Sequence, residues 1–473
     1  MTYRRLLVEN LDLRRLWYGQ VVSEIGDWFN NIAVLALTIE LAGPGYEGHA
    51  VAFYALARHV PLFLFGPLAG VVVDRVDRRR VMIAADLVRA FLALGFLLAG
   101  RVATLPVIYI VGASLFAVSA FFNAAKRAAL PNLVAGPAQL LSANSLSAST
   151  TAATIAVGSA LGGLVATFAG RDIVFILNAA TFLVSVWMIR RIRGATQRRE
   201  PRTNERDAAA IMTEGAEGDA ARAADAAAAA AEAGSPSRLK ALPARRGVSH
   251  SPRLRAGLGR VVVDFREGLR YVRSINVLSA IFIVAAGWGL GNGVARALYS
   301  IFGAQLGKAA VGGMLTRPTD FGISVLFIAM GAGGVIGAPI ARRFNSAAGE
   351  SLGARMGRSM IFDGCGLALF SLMPNLWGAA LVLVAREINF AIWWTAQQTI
   401  IMMRTDDRYG GRVFASYETL TTLMMVGSML AAGAAADSYG IRPVAATGGA
   451  VVALSGIMWF ILRGRREAQR RLS

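Results

Sequence analysis

Long apolar stretches separated by short polar connections dominate the pattern along the chain. Each stretch has about 20 residues, which is the length that a helix needs to cross a bilayer. The period-two alternation of membrane β-strands is absent. The pattern predicts an all-α membrane protein with twelve transmembrane helices, spans 1 to 12, at residues 15–41, 50–73, 80–100, 105–127, 140–169, 171–191, 276–303, 320–341, 356–374, 376–403, 411–436 and 442–463.

The connections between these spans alternate between arginine-rich and arginine-poor. Basic residues are retained in cytoplasmic loops, so the arginine-rich side is predicted to be cytoplasmic. Both termini then lie in the cytoplasm, and we expect the plasma membrane, or the inner membrane of a Gram-negative cell. The arginine-rich connections contain Arg4, Arg5, Arg14, Arg15, Arg75, Arg78 to Arg80, Lys126, Arg127, Arg342, Arg343, Arg404, Arg412 and the basic C-terminal tail.

Composition narrows the class of function further. Only 16% of the residues are charged, whereas soluble proteins have about 25%. The net charge of +20 follows the positive-inside pattern, so we expect lipid contact and no nucleic-acid partner. The single cysteine, Cys365, and three histidines show no metal or nucleophile–base spacing, so no metal, cofactor or enzymatic activity is expected.

A polar segment and an internal repeat divide the chain. The sequence VGSAL at 157–161 in span 5 is echoed by VGSML at 426–430 in span 11. Glycine pairs in spans 2 and 8 match in the same way. These echoes predict two six-helix bundles related as parallel repeats, at residues 1–191 and 276–473. Residues 192–275 form a cytoplasmic linker with a low-complexity insertion and a final surface helix.

The connection between spans 2 and 3, GVVVDRVDRRRVM at 70–82, is short and densely charged. It resembles the signature loop of the major facilitator superfamily, Gly-x-x-x-Asp-Arg-x-x-Arg-Arg. Stretches such as RRLWYGQVVSEIGDWFNNIAVL and GGRVFASYETL are similar to the branch that contains the enterobactin exporter and macrolide-efflux proteins. The residues that match the signature are Gly70, Asp74, Arg75, Arg78 and Arg79.

The resemblance implies a monomeric transporter that exports a small amphipathic molecule by alternating access, with proton antiport. Siderophore export, lysophospholipid flipping and a non-transporting sensor or scaffold remain alternatives. A second family motif, Gly-Pro-x-x-Gly-Gly in span 5, is matched by Gly158, Gly162 and Gly163, with Ser159 in place of proline. Small residues allow helices to approach closely, so we expect helix packing at this motif.

The charged loop suggests a conformational latch. By the arrangement of the family, the loop meets the start of span 11. A helix N-terminus stabilises a carboxylate by about 0.3–1 kcal/mol. We therefore expect Asp74 to contact this end and Arg412 when the cytoplasmic side is closed, while Arg78 to Arg80 meet Asp406, Asp407 or lipid phosphate.

Ionisable residues inside spans are costly, so function is the default interpretation. Asp27 in span 1 and Arg58 in span 2 lie at similar predicted depths, about 18 Å from one face and about 12 Å from the other in a core of about 30 Å. Two interpretations remain open for Asp27, a structural ion pair with Arg58 or the carriage of protons. Glu24, one turn earlier, is the second acid.

A further polar set lies in the C-terminal half. Asp363 is close to the start of its span, as is Asp86 in the N-terminal half. We therefore expect a scaffold role for both residues. The remaining residues are candidates for the substrate cleft, with helix packing as an equal alternative for Trp393, Trp394 and Gln397. This candidate cleft comprises Arg386, Glu387, Trp393, Trp394, Gln397 and Glu418.

Overall fold

The computed structural model describes residues 3–134, 136–193, 266–346, 351–406 and 409–472. The predicted contact of Asp407 and the low-complexity part of the linker lie outside the described residues. Within these described ranges there are twelve long helices, together with short helices at Tyr3–Glu9 and 266–274. The long helices are Leu11–Ala42, Glu47–Arg75, Arg78–Val102, Leu105–Leu133, Pro137–Phe168, Arg171–Arg190, Asn276–Val311, Pro318–Ser346, Leu352–Leu372, Leu376–Arg404, Gly410–Tyr439 and Ile441–Leu472, and these are spans 1 to 12 in order.

Ten of the twelve long helices are long and apolar enough to cross a membrane. The other two are span 1, Leu11–Ala42, and span 9, Leu352–Leu372. Large apolar side chains such as Phe91, Ile110 and Phe168 are exposed, as a lipid-facing surface requires. The chain is an all-α, multi-pass membrane protein. Twelve helices are consistent with the predicted span count, and the crossing of spans 1 and 9 stays a prediction.

Most of the helices are longer than the apolar stretches that predicted them. Span 4 continues to Leu133 and span 7 to Val311, because polar residues can continue a helix beyond the hydrocarbon core. The turn between spans 2 and 3 is correspondingly short. Asp77 accepts a hydrogen bond from the backbone N–H of Arg80 at 3.0 Å and so caps span 3.

Helix packing follows the same scheme in the two halves of the chain. In the first half, span 1 packs on spans 5 and 6, span 3 on spans 4 and 6, and span 2 on span 4. In the second half, span 7 packs on spans 11 and 12, span 9 on spans 10 and 12, and span 8 on span 10. Adding six to each span number converts the first scheme into the second, which is what two parallel six-helix repeats lead us to expect.

The two halves meet through equivalent helices. Span 5 packs on span 8, and span 2 packs on span 11. Adding or subtracting six exchanges these two pairs, so the seam between the halves has the same pseudo-twofold relation. Any movement of one half relative to the other must change the helix contacts at this seam.

Candidate functional site

A buried ion cluster joins the halves on the side opposite the arginine-rich connections. Arg171 begins span 6, Glu40 is near the end of span 1, and Asp320 is near the start of span 8. The Arg171 guanidinium donates to both oxygens of Asp320, at 2.9 and 2.6 Å, and to both oxygens of Glu40, at 2.7 Å each. The Asp320 side chain is 0% exposed and that of Arg171 is 7% exposed. We call these three residues the outer clamp.

A second contact on the same side joins span 2 to span 11. Asp437, near the end of span 11, accepts hydrogen bonds from the backbone N–H groups of Gly48 and His49, at 2.7 and 2.9 Å. It also contacts the His49 ring. The first N–H groups of a helix have no partner within the helix, so a carboxylate there is stabilised by hydrogen bonds and by the helix dipole.

Small residues allow the seam helices to touch backbone to backbone. A Cβ atom on Gly331 of span 8 would lie 2.5 Å from Cα of Ala156 in span 5. Gly163 of span 5 faces Ser324 of span 8, where a Cβ atom would overlap the serine side chain. The other two glycines of the predicted packing motif face span 1: a Cβ atom on Gly158 or Gly162 would lie 2.6 Å from Trp28 or Phe29.

We expect Gly331→Ala to lower transport and to weaken contact between the halves, because the new methyl group would meet the backbone of Ala156, which cannot rotate away. Overpacking of this kind costs about 1–3 kcal/mol. The measurement is the transport rate in proteoliposomes together with the melting temperature. Gly427→Ala is the matched control, since a Cβ atom at Gly427 has no neighbour within 4 Å. Equal transport by the two variants would contradict the assignment of this contact.

On the arginine-rich side the seam helices are not in comparable contact. A Cβ atom on Gly66 or Gly70 near the end of span 2, or on Gly410 or Gly411 at the start of span 11, would have no neighbour within 4 Å. Close approaches between spans 2 and 11 lie at the other end, where Gly48 faces Gly433. The halves are therefore closed on the opposite side and separated on the arginine-rich side.

Among the described residues, Asp74 forms no ion pair with Arg412. Asp74 and Arg75 are exposed. Arg78 donates to the carbonyl of Ala128 at 2.9 Å, and Arg79 donates to the carbonyls of Ile189, at 3.2 Å, and Arg190. These bonds attach the loop to spans 4 and 6 of its own half. Because the arginine-rich side is open here, the latch and the Asp406 contact stay predictions for the closed state.

Arg412 has a different partner from the predicted one. Its guanidinium forms an ion pair with Glu267 at 3.0 Å, not with Asp74. Glu267 belongs to the short helix 266–274, which packs on the start of span 11. Tyr271 of this helix stacks on Tyr409, with ring centroids 4.2 Å apart. The final linker helix thus holds Arg412 while the arginine-rich side is open.

Two neighbouring cavities lie between the helices. The first, of about 250 Å³, is lined by spans 1 to 5, and we call it the N-half cavity. The second, of about 100 Å³, is lined by both halves, and we call it the seam cavity. They share Trp28, Asn31, Tyr54 and Arg58. A cavity enclosed by both halves and closed on one side is the expected place for a transported molecule.

In the structure the ion-pair partner of Asp27 is Arg89 and not Arg58. Asp27 accepts a hydrogen bond from Arg89 of span 3 at 2.7 Å, and Arg89 also binds Asp86 at 2.9 Å. Arg58 donates to the side-chain oxygen of Asn31 at 2.6 Å. Depth along the membrane normal suggested the pair, but side chains at one depth can face different helices. Asp27 lines the N-half cavity, and 34% of its side chain is exposed.

The second acid of span 1 also faces the N-half cavity. Glu24 accepts hydrogen bonds from Gln20, at 2.7 Å, and Thr154, at 3.2 Å, and its carboxylate lies 3.7 Å from the Lys126 ammonium. The N-half cavity therefore contains two carboxylates, each beside a cationic side chain.

The candidate cleft of the C-terminal half is largely packed core. Trp393 is 0% exposed and Gln397 donates to the Tyr417 hydroxyl at 2.6 Å. In the structure both residues pack in the helix core, and neither lines the N-half cavity or the seam cavity. Trp394 packs beside Trp393. Glu418 is exposed and does not line either cavity.

Arg386 and Glu387 form a buried cluster with Asp363. The Arg386 guanidinium lies 3.0 Å from Asp363 and 3.5 Å from Glu387, and it also binds the Tyr299 hydroxyl. The Asp363 side chain is 0% exposed and that of Glu387 is 15% exposed. Arg386 thus forms ion pairs with two carboxylates, as Arg89 does in the other half.

Several site residues were not singled out from the sequence. Arg89, Lys126 and Arg296 are cationic residues of spans and carry the same signal that identified Asp27, a charge in an apolar helix. The outer clamp consists of charges at the arginine-poor ends of spans, where charges are few and therefore informative. Their pairing over 149 residues of sequence, from Arg171 to Asp320, has no local signal.

The fold and the cavity define a class: a polytopic α-helical membrane transporter with two repeats around a central cavity. The family model of the Major Facilitator Superfamily matches residues 16–428. The chain belongs to this superfamily, which confirms the resemblance seen in the loop after span 2.

Curated relatives match shorter stretches. The chain is 33% identical over 183 residues to the "Putative bacilysin exporter BacE" of Bacillus subtilis (strain 168), which covers 38% of the chain and 43% of that protein. It is 36% identical over 75 residues to "Macrolide efflux protein A" of Streptococcus pyogenes, covering 16% of the chain and 18% of that protein. The matched stretches span less than half the length of these relatives. They confirm the resemblance to the efflux branch.

Solved structures share the fold over nearly the whole chain. A bacterial homologue of the iron transporter ferroportin in an inward-facing state has a TM-score of 0.65 and 14% identity, covering 98% of this chain and 99% of that one. A POT family transporter in complex with 5-aminolevulinic acid has a TM-score of 0.62 and 10% identity, with 96% of each chain covered. At such low identity these structures establish the fold alone.

Proposed function

We propose that this protein exports a small amphipathic molecule across the plasma membrane by alternating access, in exchange for protons. The observation that carries the proposal is the cavity shared by the two halves, together with the outer clamp that closes one side only. If the arginine-rich side faces the cytoplasm, as the positive-inside rule predicts, the structure is an inward-open state that is ready to load its substrate. Relatives named as exporters and efflux proteins support the direction.

Asp27 is the proposed proton carrier, and Glu24 is the second candidate. Arg89 lies between Asp27 and Asp86, so this cluster is neutral once one proton is bound and carries one negative charge when both acids are ionised. A cluster that alternates between these states can couple proton entry to movement of the halves, since a net charge is costly in a water-poor core. One charge moved through about 100 mV supplies about 2.3 kcal/mol.

The decisive test is transport in proteoliposomes. Purified protein is reconstituted, loaded with each compound of a small panel of antibiotics and amphipathic metabolites, and assayed for counterflow with and without a pH gradient. We expect counterflow of at least one compound without a gradient, and uphill movement only when the gradient is present. No movement of any compound in either mode would refute the proposal.

We expect Asp74→Asn to lower transport by several-fold while leaving insertion and the melting temperature unchanged, because the latch forms only in the closed state. A carboxylate at a helix N-terminus contributes about 0.3–1 kcal/mol, and more when partly buried. Glu267→Gln should have the opposite effect, since it releases Arg412 for Asp74. Asp172→Asn on the opposite side is the control. Full transport by Asp74→Asn would eliminate the latch.

A further inference from the structure

Two arginines of the seam cavity have no carboxylate partner. Within the described residues, Arg58 donates only to the neutral side chain of Asn31. Arg296 of span 7 has no hydrogen bond or ion pair to any described residue, and its side chain is exposed towards the cavity. Arg89, Lys126 and Arg386 each lie beside a carboxylate. The cavity between the halves therefore has two positive charges that the protein does not neutralise.

Glu387, an acid of the C-terminal half, does not neutralise Arg296. Glu387 influences Arg296 electrostatically, but its carboxylate lies 3.5 Å from the Arg386 guanidinium, which already holds it. Asp27 is likewise occupied by Arg89. The two arginines also come from different halves, span 2 and span 7, and they repel each other.

A cavity that is open on one side lets water reach these guanidinium groups. Closing the arginine-rich side would remove that water and bring two like charges together in a medium of low polarity, which is unfavourable. An anion placed between the two guanidinium groups would attract both of them and so offset their mutual repulsion. Guanidinium groups suit a carboxylate because their N–H groups match its two oxygens.

The surroundings of the two arginines are aromatic. The Arg58 guanidinium carbon lies 5.7 Å from the ring centre of Trp28 and 5.0 Å from that of Phe116. Tyr299 and Phe327 line the same cavity from the C-terminal half. A ligand that suits this cavity has an acidic group and an apolar, ring-compatible body.

We propose that the seam cavity binds an apolar organic acid, with its carboxylate between Arg58 and Arg296 and its apolar part against the aromatic side chains. This inference rests on the proposed export function and names the substrate class of the same site. Because the acid cancels the repulsion between the halves, closure of the loaded protein is favoured over closure of the empty one, as differential binding requires.

The test uses matched pairs of compounds that differ only by a carboxylate or its primary amide, such as N-acetylphenylalanine, indoleacetic acid and an apolar dipeptide. Affinity for the full-length protein in nanodiscs is measured by the ligand-dependent melting temperature, without any gradient. Losing one charge-assisted contact should weaken binding about tenfold or more. We expect at least one acid to bind that much more tightly than its amide, and Arg296→Gln and Arg58→Gln to remove the difference.

Arg296→Lys keeps the charge and should keep part of the preference, whereas Arg101→Gln, exposed on the opposite side, should leave it unchanged. A panel in which no acid is preferred, whether both members of each pair bind or neither does, overturns the assignment. A preference that survives Arg58→Gln combined with Arg296→Gln overturns it too. Equal export of acid and amide would refute this site and leave export intact. Binding of acids without transport would refute export and leave the site.

Discussion

Replacing Arg171 by alanine is expected to open the side opposite the arginine-rich connections and to lower transport by about tenfold or more. The Arg171 side chain donates to four carboxylate oxygens, two on Glu40 of its own half and two on Asp320 of the other half. Removing it leaves the fully buried Asp320 without its partner. Breaking a buried ion pair in this way costs about 3–5 kcal/mol.

The shift is measured with a cysteine that only the open side exposes. Ser324 is 4% exposed and lies between spans 5 and 8. In a Cys365→Ser background, Ser324→Cys should resist a membrane-impermeant maleimide in the parent and react when Arg171→Ala is added. Transport is assayed in the same proteoliposomes.

Three further variants are compared with Arg171→Ala, and each should have a smaller effect on labelling and transport. Arg171→Lys should be intermediate, because an ammonium group cannot bind two carboxylates bidentately. Glu40→Gln should have a small effect, since 43% of the Glu40 side chain is exposed and water replaces the lost contact. Arg101→Ala, also on this side, is the control. Unchanged labelling and unchanged transport in Arg171→Ala would show that the clamp does not hold the halves together.

The sequence predicted the helices and the family better than it predicted the partners of polar side chains. Apolar stretches of about 20 residues have a strong physical cause, the thickness of the bilayer, so all twelve appear as helices. Most of their C-terminal ends were predicted too early, for example at 127 instead of Leu133 in span 4, because helix formation does not stop where hydrophobicity does.

Pairing across the seam could not be derived from local pattern. The sequence singled out Asp27 as an ionisable residue of an apolar helix, but its partner is Arg89 rather than Arg58. Only the rotation of span 1 against span 3 decides between the two, and that rotation depends on packing of the whole bundle. Local sequence likewise could not decide the place of Trp393, because a large apolar side chain fits both a substrate cleft and a packed core.

Replacing Asp27 by asparagine is expected to abolish uphill transport while counterflow continues. The cluster of Asp27, Arg89 and Asp86 gives the reason. Asp27 is partly exposed to the N-half cavity, whereas the Asp86 side chain is 0% exposed. When Asp27 loses its charge, Arg89 keeps Asp86 as its partner, so no buried cation is left uncompensated. Asp27 can therefore bind and release a proton without disrupting the bundle.

The measurement separates coupling from folding. With a membrane potential of about 100 mV, one proton can support a substrate ratio of several tens-fold, and Asp27→Asn should reduce this ratio to about one. Asp86→Asn should instead lower the melting temperature and reduce both transport modes, because Asp86 is the fully buried partner of Arg89, and the partner that would remain, Asp27, is partly exposed to water. If Asp27 is only a structural partner of Arg89, Asp27→Asn will behave like Asp86→Asn. Glu24→Gln tests the second candidate acid. If this variant alone loses uphill transport, the proton carrier is Glu24 and not Asp27.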